Sequence, residues 1–282
     1  MKVKILGISG SPRENSNTET LVKEALYSAS QIGNVETDFV EIASLRITPC
    51  KGCYECYGFY KGADWDNLCF KFKDDVSKVY RKIYEADGII IGSPVYSMDV
   101  PAKLKALMER GAPFCHYASS KLSGAISFKV VGGIVVAFEK RGGQESTIFT
   151  IWRFASSLAH SFIVSSTPFP LDPPPQSSFF GGLADTSSSI QPLSEKAVLR
   201  ELSREKPPIS SIYSLRAVRN LGRSVALASM IVKAGIEKLK EMGIELPPLP
   251  LSPFPEEMIK EGSYLDRIRK GEEKPPYYQK VR

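Results

Sequence analysis

Short apolar runs alternate with amphipathic helical segments through the first 166 residues and predict an α/β protein. The expected architecture is a doubly wound, five-stranded parallel sheet of order 2-1-3-4-5 with a C-terminal extension. Three observations carry this prediction. The first is the alternation itself. The second is that residues 3–8 and 88–91 are continuous apolar runs rich in β-branched side chains, as strands covered on both faces must be. The third is that polar, glycine-bearing loops follow these runs, where such sheets bind ligands beyond the carboxyl ends of their strands.

Taken in order, residues 3–8 form the first strand, and residues 18–30 a helix with Leu21, Ala25 and Leu26 at helical spacing. Residues 35–42 alternate as an edge-side strand does. Residues 74–85 form a helix with Val76, Val79, Tyr80 and Ile83 on one face, and residues 88–91 a third strand that ends at Gly92-Ser-Pro. Residues 102–109 are helical. Residues 126–138 read as one long strand or a strand pair, residues 146–158 as a helix with Ile148, Ile151, Trp152 and Ala155 apolar, and residues 162–164 as the start of the last strand. The pattern then breaks. Residues 168–192 are rich in proline, serine and glycine, and a polar stretch continues to Pro208; a segment this long without periodicity is a functional lid or an extended arm. A helix returns over 214–242, with Leu221, Val225, Ala228, Ile231 and Val232 on its apolar side, and Leu246-Pro-Pro-Leu-Pro-Leu-Ser-Pro-Phe-Pro is polyproline-like. One large domain is therefore expected over residues 1–242, carrying an insert at 168–212, followed by an extended arm at 243–282. No internal repeat is present.

A chain of 282 residues with 43% hydrophobic content can bury a substantial core. No apolar run approaches membrane-spanning length, and the N-terminus lacks a signal-peptide cleavage region, so a cytoplasmic protein without a membrane partner is expected. The net charge of +6 is scattered along the chain and densest after residue 196. No basic block is interleaved with aromatics as a nucleic-acid groove requires, which leaves only a mild preference for anionic ligands. Asparagine and glutamine number five each, a scarcity typical of thermophile proteins. With His116 and His160 the only histidines, neither a histidine general base nor a histidine metal site is expected.

The first loop, Gly7-Ile-Ser-Gly-Ser-Pro-Arg-Glu-Asn-Ser-Asn-Thr, opens the first helix. Ser9, Ser11, Ser16 and Thr18 bring hydroxyls, Arg13 a charged fork and Asn17 an amide, with Pro12 in the turn, to a helix N-terminus whose free N–H groups attract an anion. The loop is neither a Walker motif nor GxGxxG, and it suits a terminal phosphate monoester. Ser16-x-x-Glu19 is also a capping box, which needs no ligand. A second loop, Gly92-Ser-Pro-Val-Tyr-Ser-Met-Asp-Val-Pro, ends the third strand at the expected switch point. There Pro94 stiffens the turn, backbone groups from Val95 through Ser97 to Met98 can edge a planar ring, and Tyr96 can stack on it. A third, weaker candidate is Ala137-Phe-Glu-Lys-Arg-Gly-Gly-Gln-Glu, in which Gly142 and Gly143 permit close backbone approach to a flat ligand.

Ile8-Ser-Gly-Ser-Pro-Arg with Ser16-Asn-Thr, Gly92-Ser-Pro-Val-Tyr and Arg141-Gly-Gly-Gln-Glu together resemble the flavodoxin-like NAD(P)H-dependent FMN reductases, over about residues 1–166 and the helix near 214–240. The resemblance implies bound FMN, with its phosphate on residues 9–18 and its ring near residues 94–98 and 138–143. It also implies a homodimer or homotetramer and an oxidoreductase activity in which hydride from NAD(P)H reaches the flavin. Electrons then pass to a flavin, quinone or iron–sulfur acceptor, a small molecule or a protein. The flavin does the chemistry, so no catalytic side chain is assigned. Arg13, Arg110, Lys140 and Arg141 are candidates to meet the phosphates of the nicotinamide nucleotide. An alternative is an electron carrier reduced by a ferredoxin-like donor without NAD(P)H turnover; another is an FMN-binding module without turnover.

Four of the five cysteines, Cys50, Cys53, Cys56 and Cys69, lie within twenty residues, and their compact run points to the iron–sulfur flavoprotein branch of that family. A [4Fe–4S] cluster fits the C-x2-C-x2-C core, which presents three thiolates to one metal centre. Structural zinc more often uses two separated pairs. A disulfide, or reduced cysteines that hold no metal, is the third reading, because the step from Cys56 to Cys69 is longer than the branch usually shows. Cys115 is expected to be an inert thiol.

Overall fold

The computed structural model describes residues 1–53, 69, 72–111, 113–114, 126–138, 142–158, 160–166, 182–185, 212–244 and 246, with 261–263, 266–267 and 270–272 near the C-terminus. Within these, β1 (Val3–Ser9), β2 (Val35–Glu41), β3 (Gly88–Pro94), β4 (Val130–Ala137) and β5 (Phe162–Ile163) form a parallel sheet in the order β2-β1-β3-β4-β5. This is the predicted topology. The central strands β3 and β4 are buried along almost their whole length, while β2, at the edge, is fully buried only at Val40. That difference in environment is why the central strands read as continuous apolar runs and β2 as an alternation.

Helices cover both faces. On one, α1 (Asn17–Ser30) and α5 (Ile212–Glu241) bring Leu21, Val22, Ala25, Val218, Leu221 and Val225 onto Ile5, Ile90, Val130 and Ile134. On the other, α2 (Val76–Glu85), α3 (Ala102–Glu109) and α4 (Gln144–Ser157) bring Val79, Ile83, Leu104, Leu107, Ile148 and Ile151 onto Leu6, Ile8, Ile89, Ile91 and Val135. Tyr80 anchors that side: its ring stacks on Phe114 at 4.3 Å between centroids, and its hydroxyl donates to Leu107 O at 2.9 Å. At the amino end of the sheet, the buried Lys129 Nζ donates to Tyr84 O at 2.7 Å and to Ala86 O, satisfying carbonyls at the end of α2. Burial lowers the Lys129 pKa to about 8.

Two expectations are corrected and one open alternative is settled. The third strand runs on to Pro94, so Gly92-Ser-Pro is strand and not turn; Pro94 is tolerated as its last residue, since it has no N–H to give. The segment 126–138 holds a single strand, not a pair. The insert is not wholly without regular structure: Gly182–Asp185 forms β6, parallel to β4, with Gly182 opposite Ile134 and Asp185 opposite Ala137. Phe162 faces Val130, an offset of 32, and Gly182 faces Ile134, an offset of 48. β5 and β6 are thus two halves of one edge strand with sixteen residues inserted between them.

α1 and α5 meet at Gly222, where a Cβ would lie 2.1 Å from the Ala25 carbonyl oxygen. Gly222→Ala is therefore expected to push the two helices apart and to lower stability by about 1–3 kcal/mol, the usual cost of overpacking. Urea denaturation of the two proteins, read by circular dichroism, measures it.

Candidate functional site

The carboxyl ends of β1, β3 and β4 carry the three candidate loops, and specific bonds draw them together. Gly10 N–H donates to Gly92 O at 2.7 Å, joining the first loop to β3. Val95 N–H donates to Val136 O at 2.8 Å, joining the second loop to β4. Gly143, at φ +96°, closes the third against the second: a Cβ there would stand 2.8 Å from Met98 Cα and 3.0 Å from Val95 Cγ1. Ser146, in the first turn of α4, donates its hydroxyl to Met98 O.

Within the first loop, Ser11 Oγ donates to Arg13 O at 3.0 Å and accepts from Arg13 N–H at 3.1 Å, which folds residues 11–13 into a tight turn. Asn15 takes the left-handed conformation at φ 51° that asparagine tolerates. Ser16 then caps α1 by accepting from Glu19 N–H at 3.2 Å. Ser11, Ser16, Asn17 and Thr18 are buried around the helix N-terminus, whereas Arg13 is exposed. Ser9 Oγ is wholly buried and makes no hydrogen bond among the described residues. A hydroxyl in that position suits a ligand oxygen, so the residues present fit a phosphate-bearing cofactor.

In the second loop, Tyr96 and Asp99 exchange backbone hydrogen bonds of 2.8 and 3.0 Å around Ser97 at φ 48° and Met98 at φ 67°. Two consecutive left-handed non-glycine residues carry strain of roughly 1–2 kcal/mol each, the kind of local cost found where a backbone is held for a ligand. Tyr96 and Met98 stand exposed, as does Phe138 at the end of β4, and the three leave an apolar rim around the loops.

Sequence reasoning missed Glu41. It ends β2 directly opposite Ser9, and its Oε1 is buried without a hydrogen bond among the described residues. Burial, with Glu19 and Glu14 nearby, raises its pKa above the ordinary value, against the pull of Lys23 and Lys103. No local pattern marks it, since an acidic residue at a strand end reads as solvent-facing.

Cys50 is exposed, and Cys53 and Cys69 are half-buried. Gly52 N–H donates to Cys50 Sγ at 3.4 Å. No three histidine, cysteine or acidic side chains converge as a metal site among the described residues, and Cys56 lies outside them. Cys115, His116, Lys140 and Arg141 also lie outside the described residues. His160 is exposed and stacks on Phe128. Arg110 is not available to a nucleotide phosphate: its side chain is 2% exposed and is paired with Asp74 at 2.9 Å.

The model of the NADPH-dependent FMN reductase family matches residues 3–165, more than half of the chain. This chain belongs to that family. As an FMN reductase-family flavin oxidoreductase it falls in the iron–sulfur flavoprotein branch. It is 41% identical over 162 residues to an iron–sulfur flavoprotein of Methanocaldococcus jannaschii, covering 57% of this chain and 75% of that protein. It is 39% identical over 149 residues to the iron–sulfur flavoprotein of Methanosarcina thermophila, covering 53% of this chain and 71% of that one. Among solved structures, a flavone reductase superposes with a TM-score of 0.50 at 18% identity, over 82% of this chain; the chain spans 64% of that reductase, and the likeness is one of fold. No helix among the described residues of this family member is long and apolar enough to cross a membrane.

The raised Glu41 pKa has a definite pH signature. Above its ordinary value of 4.5 the folded state holds the carboxylate at a penalty, which is relieved as pH falls through the raised folded value. Glu41→Gln is expected to stabilise the protein at neutral pH, with the gain shrinking to nothing below about pH 4. Thermal midpoints of both proteins across that range read the difference.

Proposed function

We propose that this chain uses bound FMN to accept hydride from NAD(P)H and to pass electrons onward, with a [4Fe–4S] cluster on Cys50, Cys53, Cys56 and Cys69. The observation that carries the reading is the convergence of three loops on one edge, built around the unpartnered hydroxyl of Ser9. FMN, when bound, supplies the redox chemistry and mediates between two-electron and one-electron partners. The chain's own residues bind and orient it. Ser9, Ser11, Ser16, Asn17 and Thr18, with the N–H groups that open α1, hold the phosphate, while Pro12 and Arg13 shape and flank the turn. Pro94 through Met98 and Gly142–Gly143 edge the ring, with Tyr96 stacked near it. Arg13, exposed beside the phosphate loop, remains a candidate to meet the nicotinamide nucleotide. In this reading residues 1–242, with the insert at 168–212, form the FMN-binding unit, the arm at 243–282 extends from it, and the protein works in the cytoplasm as a homodimer or homotetramer.

The names of the relatives favour a second reading: an iron–sulfur flavoprotein that carries electrons from a ferredoxin-like donor to an acceptor without turning over NAD(P)H. Anaerobic stopped-flow spectroscopy separates the two. Bleaching of the flavin band by NADPH or NADH within the mixing experiment supports the reductase. Reduction by a ferredoxin but not by either nucleotide transfers the assignment to the carrier. A flavin that neither reduces would leave only a binding module. Iron, acid-labile sulfide, zinc and FMN per chain, measured in protein purified without air, decide what the cysteines hold.

The phosphate loop has its own test. Removing Ser11 and Thr18 hydroxyls together is expected to weaken FMN binding by about 1.5–3 kcal/mol for each bond lost to the charged phosphate, roughly tenfold to a hundredfold apiece. Fluorescence titration of the apoprotein with FMN reads the change, and stoichiometric FMN retained through dilution by the Ser11→Ala, Thr18→Ala protein would refute the placement.

A further inference from the structure

Thr48 and Phe72 flank the cysteine-bearing stretch and form its neck, and both are tied to one buried ion pair. Asp74 Oδ2 accepts from Arg110 Nη1 at 2.9 Å, Oδ1 accepts from Nη2 at 3.3 Å, and both side chains are 2% exposed. Around this fork the chain is gathered in. Arg110 Nη1 also donates to Thr48 O at 2.8 Å, and Thr48 N–H donates to Asp74 Oδ2 at 3.0 Å, so both backbone groups of Thr48 are held. The guanidinium lies over the ring of Phe72, 4.4 Å from its centroid. One residue pair further on, Arg46 and Asp75 repeat the tie through Arg46 N–H to Asp75 Oδ2 and Asp75 N–H to Arg46 O, each 2.9 Å. Thr48 is two residues from Cys50, and Phe72 is three residues from Cys69.

A loop of some twenty-five residues needs no buried charge merely to close its neck. Two buried charges cost desolvation that an apolar pair of the same volume would avoid, and what such a pair adds is fixed geometry. Arg110 has a position that gives this geometry a use. It ends α3, the eight-residue helix that begins directly after the Tyr96–Asp99 turn, and Lys103 in the first turn of that helix donates to Ala43 O at 2.6 Å. α3, about 12 Å long at 1.5 Å per residue, therefore spans from the ring-edging loop to the neck of the cysteine segment.

We infer that Arg110 and Asp74 are positioning residues for the cysteine site: the fork, carried on α3, sets where the cysteines stand relative to the flavin loops. The inference rests on the cysteines being the ligand set proposed above. A bidentate, planar contact suits this task because it fixes orientation as well as distance, which a lysine cannot do.

The test uses the full chain, purified without air, as wild type, Arg110→Lys, and the volume-matched double variant Asp74→Leu, Arg110→Met, which leaves no unpaired charge to unfold the protein. Both variants are expected to keep wild-type FMN content while losing at least half of the iron and acid-labile sulfide, and the remaining reduced cluster should give a broadened or shifted electron paramagnetic resonance spectrum. Wild-type iron, sulfide and spectrum in the double variant would overturn the inference. So would FMN lost in parallel with iron in both variants, which marks a general structural role. If the wild type itself holds no iron, the cluster reading has failed, and the neck is then judged on thiols alone. Iodoacetamide should alkylate Cys50 and Cys53 several-fold faster in the double variant than in wild type, with equal rates again overturning it.

Discussion

Gly10 N–H reaching Gly92 O across 2.7 Å is the contact on which the arrangement of the ligand-binding edge depends. β1 and β3 are neighbours in the sheet but not in the chain, and the helices that follow them leave to opposite faces: α1 to one, α3 to the other. Where the connections diverge, a parallel sheet opens a crevice at its carboxyl edge. The bond between the two glycines holds the walls of that crevice at one separation. Every other candidate group is referred to it. Ser9 lies one residue before, the turn of Ser11 one residue after, and the strained Ser97–Met98 turn a few residues beyond Gly92.

Strain and burial are distributed unevenly around this edge. The first loop satisfies itself, with Ser11 bonded to Arg13 and Ser16 to Glu19, and leaves few polar atoms without partners. Ser9 Oγ and, across the β1–β2 ladder on the residue paired with it, Glu41 Oε1 are buried without a hydrogen bond among the described residues. The second loop instead stores conformational cost and is held down from outside, by Gly143 and Ser146. A hydroxyl-rich helix N-terminus beside a clamped, strained turn is consistent with a family whose cofactor has a charged end and a flat end.

Much of this was legible in the sequence because the physics is local. A continuous run such as Gly88-Ile-Ile-Ile has to be covered on both sides, and hydroxyls crowded ahead of a helix mark its N-terminus whatever the rest of the chain does. What escaped reading was non-local or too short to be periodic. Arg110 follows a helix and reads as a charge open to a nucleotide phosphate; only the partner thirty-six positions away, Asp74, makes it a buried one. Gly182-Leu-Ala-Asp is a strand because β4 offers it an unpaired ladder, and nothing in four small residues announces that. Gly222 gives no local signal in the long helix and is where its neighbour presses closest. The extent of β3 was underestimated for a similar reason, since a proline after glycine and serine resembles a turn until a partner strand is present to extend it.

The divided edge strand has an energetic consequence for the working end of the sheet. β5 pairs with the lower part of β4 and β6 with the upper part, and the two halves are joined by a detour rather than by a continuous backbone. Pairing of β6 therefore does not follow automatically once β5 has docked. It must offset the closure entropy of the detour with a four-residue ladder on β4 and its contact with α5. Opening of β6 is thus a sub-global event that can occur while β1, β3 and α1 stay folded, and it uncovers the flank of β4 at Ile134–Ala137, immediately before the third loop. Amide exchange along that stretch should report on the detour rather than on the stability of the sheet. The insert, remote in sequence from the first loop, thereby acquires a thermodynamic hold on the edge where the three candidate loops meet.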